Sequence, residues 1–381
     1  MSTIDRPSWI ERIHRCWRAA PIAWLSGVRR AGKTTLGRTI ANAEVFNCDL
    51  PSVAARLEDP EHFFRSLGTR VIVLDEVHQL GDPSRILKIA ADEFPKLRVL
   101  ATGSSTLAAT AKFRDSLAGR KRAVHLLPVL ATELAAFGIV DLRVRLLHGG
   151  LPGALLADAP DPEFYAEWLD SFFARDIQEL FRVEKRGAFL KLVEILLRHS
   201  GGLAEITTLG RATSLSRPTV MNYLEILQMT HAITVLRPFH GGGRQEILHQ
   251  PKIYGFDTGF VAHCLGWNEL REQDCGLLWE HVVLESLQAL TDPAKLHYWR
   301  DKAKREVDFV IPRRGGCDAI ECKWSASSFD PAGLVALRAA HPGGRNIVVV
   351  PQGRTHTRRF GELEVTLAPI EAMAGVLAGQ S

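Results

Sequence analysis

Short apolar runs alternate with polar segments along the chain as far as Glu133. Residues 21–25, 71–74 and 98–101 are almost wholly apolar, a pattern typical of parallel strands that are buried on both faces. Another strand is expected at residues 123–129, and a helix is expected to follow the first strand at 34–43. This alternation predicts an α/β fold that is built on a parallel sheet.

The alternation stops after Glu133, and the pattern becomes helical. Residues 134–185 are expected to be mostly helical, with a break at the sequence Gly149-Gly150-Leu151-Pro152-Gly153. The next helices are expected at 188–199, 203–213 and 217–228. A strand at 232–236, a glycine-rich tip at 241–244 and a return strand near 246–248 then predict a winged helix-turn-helix.

The last helix of this module has clear start signals. Ser216 is placed to cap it, Pro218 stands in its first turn, and an apolar stripe runs along Val220, Leu224 and Leu227. In such a module, the side chains expected to meet DNA are those of Arg217, Thr219, Asn222 and Tyr223 on the helix and Arg244 on the wing. A winged helix can also serve as a platform for another protein, and this alternative stays open.

Alternation with a period of two returns in the last third of the chain. Residues 306–311 and 319–324 have the pattern of strands, and Tyr298-Trp299-Arg300 would form the strand beside them. Together these changes of pattern predict four domains. They are a core at 1–135, a helical lid or connector at 136–185, the winged helix-turn-helix at 186–250 and a C-terminal α/β domain at 251–381.

Composition narrows the class of protein. The chain has 381 residues, of which 46% are hydrophobic, so it can hold two or three domains with real cores. The net charge of +4 is too small to indicate a nucleic-acid partner by itself. Positive charge is clustered, which keeps a polyanionic partner open. The clusters are at 29–30, 120–122, 182–186, 302–305 and 313–314.

The cysteines and the N-terminus favour a cytoplasmic protein. The six cysteines form no C-x-x-C pair and no zinc spacing with histidine, which favours free thiols in a reducing compartment. Residues 1–12 contain Asp5 and Glu11 and have no long apolar core, so a signal peptide is not expected. No run approaches the ~18 apolar residues of a transmembrane helix, so no membrane association is expected.

The sequence Gly27-Val28-Arg29-Arg30-Ala31-Gly32-Lys33-Thr34 has the spacing G-x-x-x-x-G-K-[ST] of a phosphate-binding loop. It stands between the first strand and the first helix, where backbone N–H groups point at phosphates. Lys33 would reach the β- and γ-phosphates of ATP, and the Thr34 hydroxyl would bind Mg²⁺. The residues predicted to bind the nucleotide are Gly27, Arg29, Arg30, Ala31, Gly32, Lys33, Thr34, Thr35 and Ser104. Arg29 and Arg30 have the alternative of pairing with DNA.

Two acids end the strand at 71–74. Asp75 would hold Mg²⁺ through water, and Glu76 would polarise the attacking water, as a Walker B pair does. The strand at 98–101 ends in Thr102-Gly103-Ser104-Ser105. If it lies beside the acidic strand, Thr102 or Ser104 would hydrogen-bond the attacking water or the γ-phosphate.

With these motifs the chain resembles the AAA+ ATPases, in a bacterial and archaeal branch with a C-terminal domain of unknown function. The carriers of the resemblance are 27–34, 74–76, 102–105, 116–120, 175–177, 251–254 and 257–259. It implies a sheet of strand order 5-1-4-3-2, and ATP bound between subunits of a homo-oligomeric ring or hexamer. It also implies an arginine donated by the neighbouring subunit. Arg120, before the strand at 123–129, stands where that arginine is expected, with Arg114 and Arg122 as competitors.

The C-terminal third contains a second group of acids. Asp308 lies on one predicted strand. Twelve residues separate it from Glu321, which shares one side of the next strand with Lys323. Glu280, on the preceding helix, shares a face with apolar residues, whereas Glu285 lies off that face and is expected to be solvated. Together these residues resemble the site of the restriction-endonuclease-like, Holliday-junction-resolvase-type superfamily. In that site Glu280, Asp308 and Glu321 would hold a second Mg²⁺ or Mn²⁺, and Lys323 would orient water or stabilise the phosphate.

The sequence therefore predicts an ATPase that uses ATP to act on DNA. It would be a motor, remodeller or loader on structured or branched DNA, with a nuclease-like domain that binds the DNA with or without cleavage. One alternative is a nucleotide-dependent switch that grips a protein partner, of the toxin–antitoxin or phage-defence type. Another is a structure-selective nuclease in which ATP mainly assembles the ring.

Overall fold

The structure, a computed structural model, describes residues 4–68, 70–103, 111–178, 181, 183–240 and 250–379. The chain forms two compact units. Unit 1 comprises residues 1–128, 166–183 and 229–232, and unit 2 comprises residues 129–165, 184–228 and 233–381. This grouping is by compactness, and the division into four domains stays a prediction.

Unit 1 is built on a parallel sheet of five strands in the order β2-β3-β4-β1-β5. This is the predicted order 5-1-4-3-2 read from the other edge, so the predicted AAA+ fold class is confirmed. The central strands are buried along almost their whole length, as their apolar runs predict. The strands are β1 (Ile22–Ser26), β2 (Ala43–Asn47), β3 (Val71–Asp75), β4 (Arg98–Thr102) and β5 (Lys121–His125).

Helices cover the sheet of unit 1, and several begin at clear caps. Asp82 accepts a hydrogen bond from the backbone N–H of Arg85, and Pro83 opens the same helix. The core packs Trp24 of β1 edge-on against Phe113 at 4.8 Å between ring centroids. The helices are α1 (Pro7–Ala19), α2 (Lys33–Arg38), α3 (Pro51–Arg56), α4 (Pro60–Arg65), α5 (Pro83–Glu93) and α6 (Ala111–Ser116).

Two boundaries in unit 1 differ from the sequence prediction. The helix predicted at 34–43 ends at Arg38, because the chain turns at Asn42 with a positive φ of 58° and enters β2 at Ala43. The strand predicted at 123–129 spans Lys121–His125, since its pairing with β1 starts at Lys121 opposite Ile22.

Residues 131–178 are mainly helical, as predicted. A 3-10 helix spans Ala131–Phe137, and α7 (Leu142–His148), α8 (Pro152–Leu155) and α9 (Pro162–Phe172) follow. A π-helix at Phe173–Gln178 continues α9. The remaining helices are α10 (Arg186–Arg198), α11 (Ile206–Thr213), α12 (Arg217–Met229), α13 (Thr258–Leu265), α14 (Glu272–Leu290), α15 (Ala332–Ala340) and α16 (Met373–Ala378).

Unit 2 is built on a sheet of nine strands in the order β13-β14-β12-β11-β10-β9-β7-β8-β6. Antiparallel pairs join β9 to β10 and β10 to β11, whereas β11, β12 and β14 run parallel. The strands are β6 (Gly202–Leu203), β7 (Ile233–Pro238), β8 (Lys252–Gly255), β9 (His297–Arg300), β10 (Glu306–Arg313), β11 (Gly316–Cys322), β12 (Asn346–Val350), β13 (His356–Phe360) and β14 (Leu363–Pro369).

The winged helix-turn-helix pattern is present as α10, α11 and α12 with strands β6, β7 and β8. The return strand that pairs with β7 is β8, with Ile233 opposite Gly255. The predicted return strand at 246–248 and the tip at 241–244 lie outside the described residues. On its other edge β7 pairs with β9, so the wing strands are part of the large sheet.

Candidate functional site

The phosphate loop of unit 1 depends on two glycines. Gly27 has a φ of 144°, and a Cβ there would lie 2.5 Å from the carbonyl oxygen of Leu126, so no side chain fits. Gly32 has a φ of 95° directly before α2. These glycines turn the chain from β1 into α2 in the strand–loop–helix order that the motif requires.

Two side chains from distant positions hold the loop. Arg6, which is buried, donates to the carbonyl oxygens of Ala31 at 3.5 Å and Leu127 at 3.2 Å. Trp168 donates from its indole nitrogen to the carbonyl oxygen of Arg29 at 3.1 Å. Neither residue was predicted from the sequence, because their distance from the loop along the chain leaves no local signal.

Lys33 lies on the loop itself. Its Nζ donates to the carbonyl oxygens of Gly27 at 2.8 Å and Val28 at 3.0 Å. Burial lowers the pKa of the Lys33 ammonium, and the carboxylates of Glu76 and Asp176 act against this shift. Thr34 and Thr35 follow in the first turn of α2, with Thr34 half-buried and Thr35 exposed.

The acidic strand end lies beside the end of β4, as predicted. The Thr102 hydroxyl donates to Asp75 Oδ1 at 2.5 Å and accepts from the backbone N–H of Glu76 at 3.0 Å. Both Asp75 and Thr102 are buried. Thr102 therefore positions the two acids, and the contact with water or the γ-phosphate that was predicted for Thr102 or Ser104 stays a prediction. Ser104, its predicted competitor, lies outside the described residues.

Glu76 has an unusual backbone conformation. Its φ of 57° and ψ of 45° are left-handed, which is costly for a residue other than glycine and typical of functional sites. His78 Nδ1 lies 3.2 Å from Glu76 Oε2. Burial raises the pKa of Glu76, while the charges of Lys33 and His78 act to lower it. A carboxylate with a raised pKa beside a phosphate loop suits a general base.

Arg120 lies at the N-terminal end of the strands, whereas its own phosphate loop lies at their C-terminal end. It stands at the start of β5, where its backbone carbonyl accepts from Ile22, whereas the loop follows the end of β1. Its guanidinium binds Asp92 through two hydrogen bonds of 2.6 and 2.9 Å. Arg120 would therefore serve ATP only in another subunit, and its role stays a prediction. Of its competitors, Arg122 is exposed and the Arg114 side chain is outside the described part.

Unit 2 brings the predicted nuclease-like residues together. The register that pairs Phe309 with Ile320 brings Asp308 alongside Glu321. Asp308 Oδ2 accepts from the backbone N–H of Cys322 at 2.8 Å. Lys323 Nζ lies 2.8 Å from Glu321 Oε2 and 3.9 Å from Asp308 Oδ2. We call Glu280, Asp308 and Glu321 with Lys323 the carboxylate cluster.

Glu280 joins the carboxylate cluster from α14, with partners that the sequence prediction missed. Tyr254 donates to Glu280 Oε1 at 2.5 Å, and Lys252 Nζ lies 3.2 Å from the same oxygen. Lys252 is buried and also pairs with Glu306 at 2.5 Å. Both new residues lie on β8, within the sequence 251–254 that carried the AAA+ resemblance without a role.

The acids of the cluster influence one another. Burial raises the pKa of Asp308, and the charge of Glu280 adds to the shift. Burial and then Asp308 raise the pKa of Glu321 to about 8. Burial acts to lower the pKa of Lys323, but Asp308 and Glu321 outweigh it and raise that pKa. A nearby cation stabilises the charged form of such acids, and a divalent metal ion is a cation that carboxylates bind well.

The present arrangement is not a finished metal site. Within the described parts of the chain, no group of three or more His, Cys, Asp or Glu side chains could hold a metal ion. Instead, Lys252 and Lys323 neutralise the carboxylates. Carboxylate oxygens are ligands that Mg²⁺ and Mn²⁺ prefer, but a metal ion would have to displace Lys252 and Lys323 from these acids.

Glu285 is buried, so the expectation that it is solvated is wrong. Its carboxylate pairs with Arg145, which is fully buried on α7 and also donates to the Thr258 hydroxyl at 2.9 Å. Burial raises the pKa of Glu285 to about 8, with Arg145 acting against the shift. The amphipathic pattern failed here because α14 is buried on nearly all sides.

The winged helix-turn-helix presents only part of its predicted DNA-binding set. Arg217 and Asn222 are exposed, and the Thr219 hydroxyl bonds to Ser216 Oγ at 2.8 Å. Tyr223 is only 5% exposed and packs edge-on against Phe189, at 5.1 Å between centroids. The prediction that Tyr223 faces DNA is therefore wrong, because its position one turn after Val220 puts it on the apolar face. Arg244 lies outside the described residues.

Three family matches cover most of the chain. Residues 19–135 match the AAA domain family. Residues 139–271 and 275–372 match two domains of unknown function, DUF8612 and DUF4143 respectively. None of the helices in the described ranges is long and apolar enough to cross a membrane.

Similar proteins exist in mycobacteria. Uncharacterized proteins of Mycobacterium tuberculosis (strain ATCC 25618 / H37Rv) and Mycobacterium bovis (strain ATCC BAA-935 / AF2122/97) are each 29% identical to this chain over 332 residues. The match covers 84% of this chain and 74% of each relative.

Solved structures give weaker likenesses. A Walker-type ATPase of Pyrococcus abyssi has 16% identity and a TM-score of 0.42, covering 69% of this chain and 96% of that one. AMPPCP-bound DnaA of Aquifex aeolicus has 14% identity and a TM-score of 0.30, covering 60% and 89%. TM-scores this low support no conclusion about function.

The phosphate loop, the acidic strand end beside Thr102 and the five-stranded parallel sheet all occur in unit 1, within the stretch that matches the AAA family. These features agree with nucleotide binding and hydrolysis. The protein is a P-loop ATPase that carries an AAA domain at residues 19–135 and, after it, two domains of unknown function.

Proposed function

We propose that this protein uses ATP to act on DNA, and that the carboxylate cluster of unit 2 is a nuclease-like site that binds a divalent metal and the DNA backbone. The convergence of Glu280, Asp308, Glu321 and Lys323 from one helix and two strands supports this proposal. Three acids so far apart in sequence meet at buried or half-buried positions, where burial and the neighbouring acids raise the pKa of Asp308 and Glu321, which is costly for a fold and typical of a functional site.

In ATP hydrolysis, Glu76 would act as the general base toward water, and Lys33 would stabilise the charge of the β- and γ-phosphates. To do so, Lys33 Nζ leaves at least one of its two carbonyl partners, Gly27 and Val28. Thr34 and Asp75 would hold Mg²⁺, which neutralises phosphate charge. Arg120 of a neighbouring subunit would complete the site in a homo-oligomeric ring.

In unit 2, a Mg²⁺ or Mn²⁺ ion at Glu280, Asp308 and Glu321 would supply a Lewis acid next to a DNA phosphate. Lys323, held between Asp308 and Glu321, would then be free to orient water or bind a phosphate oxygen. The cluster thereby offers the DNA backbone both an ammonium and a metal, without any base-specific contact.

Isothermal titration of Mn²⁺ into the full-length protein, followed by cleavage assays on single-stranded, duplex and four-way-branched DNA, tests this site. We expect Asp308→Asn to abolish Mn²⁺ binding in unit 2 and any cleavage, because it removes one of three carboxylates. The proteins with and without Asp308→Asn both carry Lys33→Ala, so that Mn²⁺ bound together with nucleotide in unit 1 does not contribute to the signal. Glu364→Gln, a change of an exposed acid of the same unit, is the control. Equal Mn²⁺ binding by the Lys33→Ala protein with and without Asp308→Asn would contradict the proposed site.

A nucleotide-dependent switch that binds a protein partner is the second candidate, and the surface of α12 favours it. Tyr223 faces the core, and Met221 stands 54% exposed on the same helix as Arg217. Methionine is common on protein-binding surfaces, and its side chain offers a phosphate no hydrogen-bond donor. This function predicts ATP turnover that no DNA structure changes.

A further inference from the structure

The phosphate loop carries two arginines that acids of unit 1 already hold. Arg29 Nη1 lies 3.4 Å from Asp176 Oδ2, and Arg30 Nη2 lies 2.7 Å from Glu167 Oε1. Both acids belong to residues 166–178, which are part of unit 1. We call these residues the clamp segment, because two of its acids, Glu167 and Asp176, each bind one loop arginine.

The two ion pairs differ in burial. The Asp176 and Arg29 side chains are 17% and 31% exposed, whereas Glu167 is 68% exposed. Burial raises the pKa of Asp176, and Arg29 and then Lys33 act against the shift. A surface pair such as Arg30–Glu167 contributes little. The pair of Asp176 with Arg29 is therefore the one that matters for the nucleotide site.

The backbone of Arg29 is held by a hydrogen bond from the clamp segment, and the backbone of Asp176 is π-helical. Trp168 of the clamp segment donates to the Arg29 carbonyl oxygen at 3.1 Å, which holds the backbone of the loop near the segment. Asp176 itself lies in the π-helix Phe173–Gln178. π-Helical turns are rare and often occur at functional sites.

A triphosphate and Asp176 compete for the same guanidinium. A guanidinium presents one planar set of donors to a carboxylate or to a phosphate, and it binds both in the same geometry. Arg29 stands in the loop that receives the phosphates. In addition, the negative charge of Asp176 acts on Lys33 together with those of Glu76 and Asp75, so Asp176 opposes an incoming anion.

We propose that Asp176 is a positioning residue that holds Arg29 until a triphosphate takes it, so that ATP binding and the Asp176–Arg29 pair exclude each other. ATP would then release the π-helix from the loop and signal its presence through the clamp segment. Since ATP must break the pair to reach Arg29, loss of the acid tightens ATP binding by the factor by which formation of the pair weakens it.

Binding of MgATP to full-length variants tests this by the sign of the effect. We expect Asp176→Asn to lower the Kd for MgATP about tenfold, and Arg29→Gln to raise it. When Arg29→Gln is already present, adding Asp176→Asn should lower the Kd for MgATP by a clearly smaller factor than it does in wild type. Glu167→Gln, with the same loss of charge in the same segment, should leave the Kd within about twofold. A higher or unchanged Kd in Asp176→Asn would overturn the proposal.

Amide hydrogen exchange provides a second readout. In wild type, MgATP should raise exchange in residues 173–178. In Arg29→Gln, where the acid keeps its place but loses its partner, exchange there should already be raised and should not respond to MgATP. Exchange that is the same with and without MgATP in wild type would contradict the proposal even if Asp176→Asn did not fold.

Discussion

The nucleotide site of unit 1 and the carboxylate cluster of unit 2 both place a lysine beside buried acids, but they hold it differently. Lys33 is bound by two neutral carbonyl oxygens. Lys252 and Lys323 are bound directly by carboxylates. An incoming phosphate therefore displaces only weak partners of Lys33, whereas an incoming metal must compete with the ion pairs of Lys252 and Lys323. The lysine of unit 1 is therefore readily available to an anion, whereas the carboxylates of unit 2 bind a cation only if it displaces their lysines.

The largest expected effect is on Lys252, a buried lysine whose removal leaves the half-buried acids Glu280 and Glu306 without their shared cation. We expect Lys252→Met to lower the free energy of unfolding of unit 2 by about 3 kcal/mol or more. Urea denaturation followed by tryptophan fluorescence measures the change. Lys33→Met should lose far less, since only two neutral hydrogen bonds disappear.

Lys302→Met, which changes an exposed lysine of unit 2, is the control for this experiment. If Lys252→Met and Lys302→Met unfolded at the same urea concentration, the ion pairs of Lys252 would be irrelevant to stability. The contrast between the two sites would then be lost.

Glu76→Gln isolates the chemistry of unit 1. We expect ATP to bind normally but turnover to fall about a hundredfold or more, the scale of a lost general base. Steady-state hydrolysis and binding of a fluorescent ATP analogue measure the two quantities separately. Glu61→Gln, an exposed acid in an i,i+4 pair with Arg65, should change neither. Normal turnover by Glu76→Gln would show that another group activates water.

The pH dependence of stability should have opposite signs in the two units. Burial lowers the pKa of His231 in unit 1 to about 4 from an ordinary 6.5. Unit 1 therefore loses stability as the pH falls from 6.5 toward 4, because the unfolded state binds the proton first. Glu321 has its pKa raised to about 8 from 4.5, so its contribution is full below pH 4.5 and is lost as the pH rises through 8.

For each of these two groups, the free energy of unfolding changes by at most ~1.4 kcal/mol per pH unit. Thermal unfolding between pH 4 and 9 measures these changes, with His231→Gln and Glu321→Gln as the variants that should flatten the acid and the alkaline limb respectively. A Glu321→Gln protein that still lost stability between pH 7 and 8 as wild type does would place the alkaline titration elsewhere, for example at Glu285.

The smallest effect concerns the winged helix-turn-helix. Arg217→Ala should weaken DNA binding several-fold and reduce its salt dependence, as the loss of one phosphate contact does. Tyr223→Phe, a change within the core, should leave DNA binding unaltered. Fluorescence anisotropy with labelled duplex at several salt concentrations tests both. A larger loss in Tyr223→Phe than in Arg217→Ala would reverse the assignment.

The sequence predicts features that depend on neighbouring residues of the chain, and it misses contacts between residues that are distant in sequence. The phosphate loop is a run of eight residues with fixed conformational demands at Gly27 and Gly32, so the pattern alone determines its geometry. The apolar runs of β1, β3 and β4 likewise predict a doubly covered sheet, and its order follows from the AAA+ resemblance.

Residues that act from a distance leave no such signal. Arg6 and Trp168 hold the phosphate loop from positions far along the chain. Lys252 and Tyr254 reach Glu280 only because β8 lies beside α14 in space. The error at Tyr223 is of another kind, because its spacing from Val220 and Leu227 already places it on the apolar stripe, where Phe189 packs against it.

ATP hydrolysis at low salt, with Mg²⁺ and with single-stranded, duplex or four-way-branched DNA, is the most direct test of the proposal that this ATPase acts on DNA. Glu76→Gln protein serves as the blank. We predict that at least one of these DNA structures raises turnover above that of the DNA-free wild type, which would identify the substrate. Identical turnover with and without all three would contradict a DNA-directed ATPase and favour the protein-binding switch.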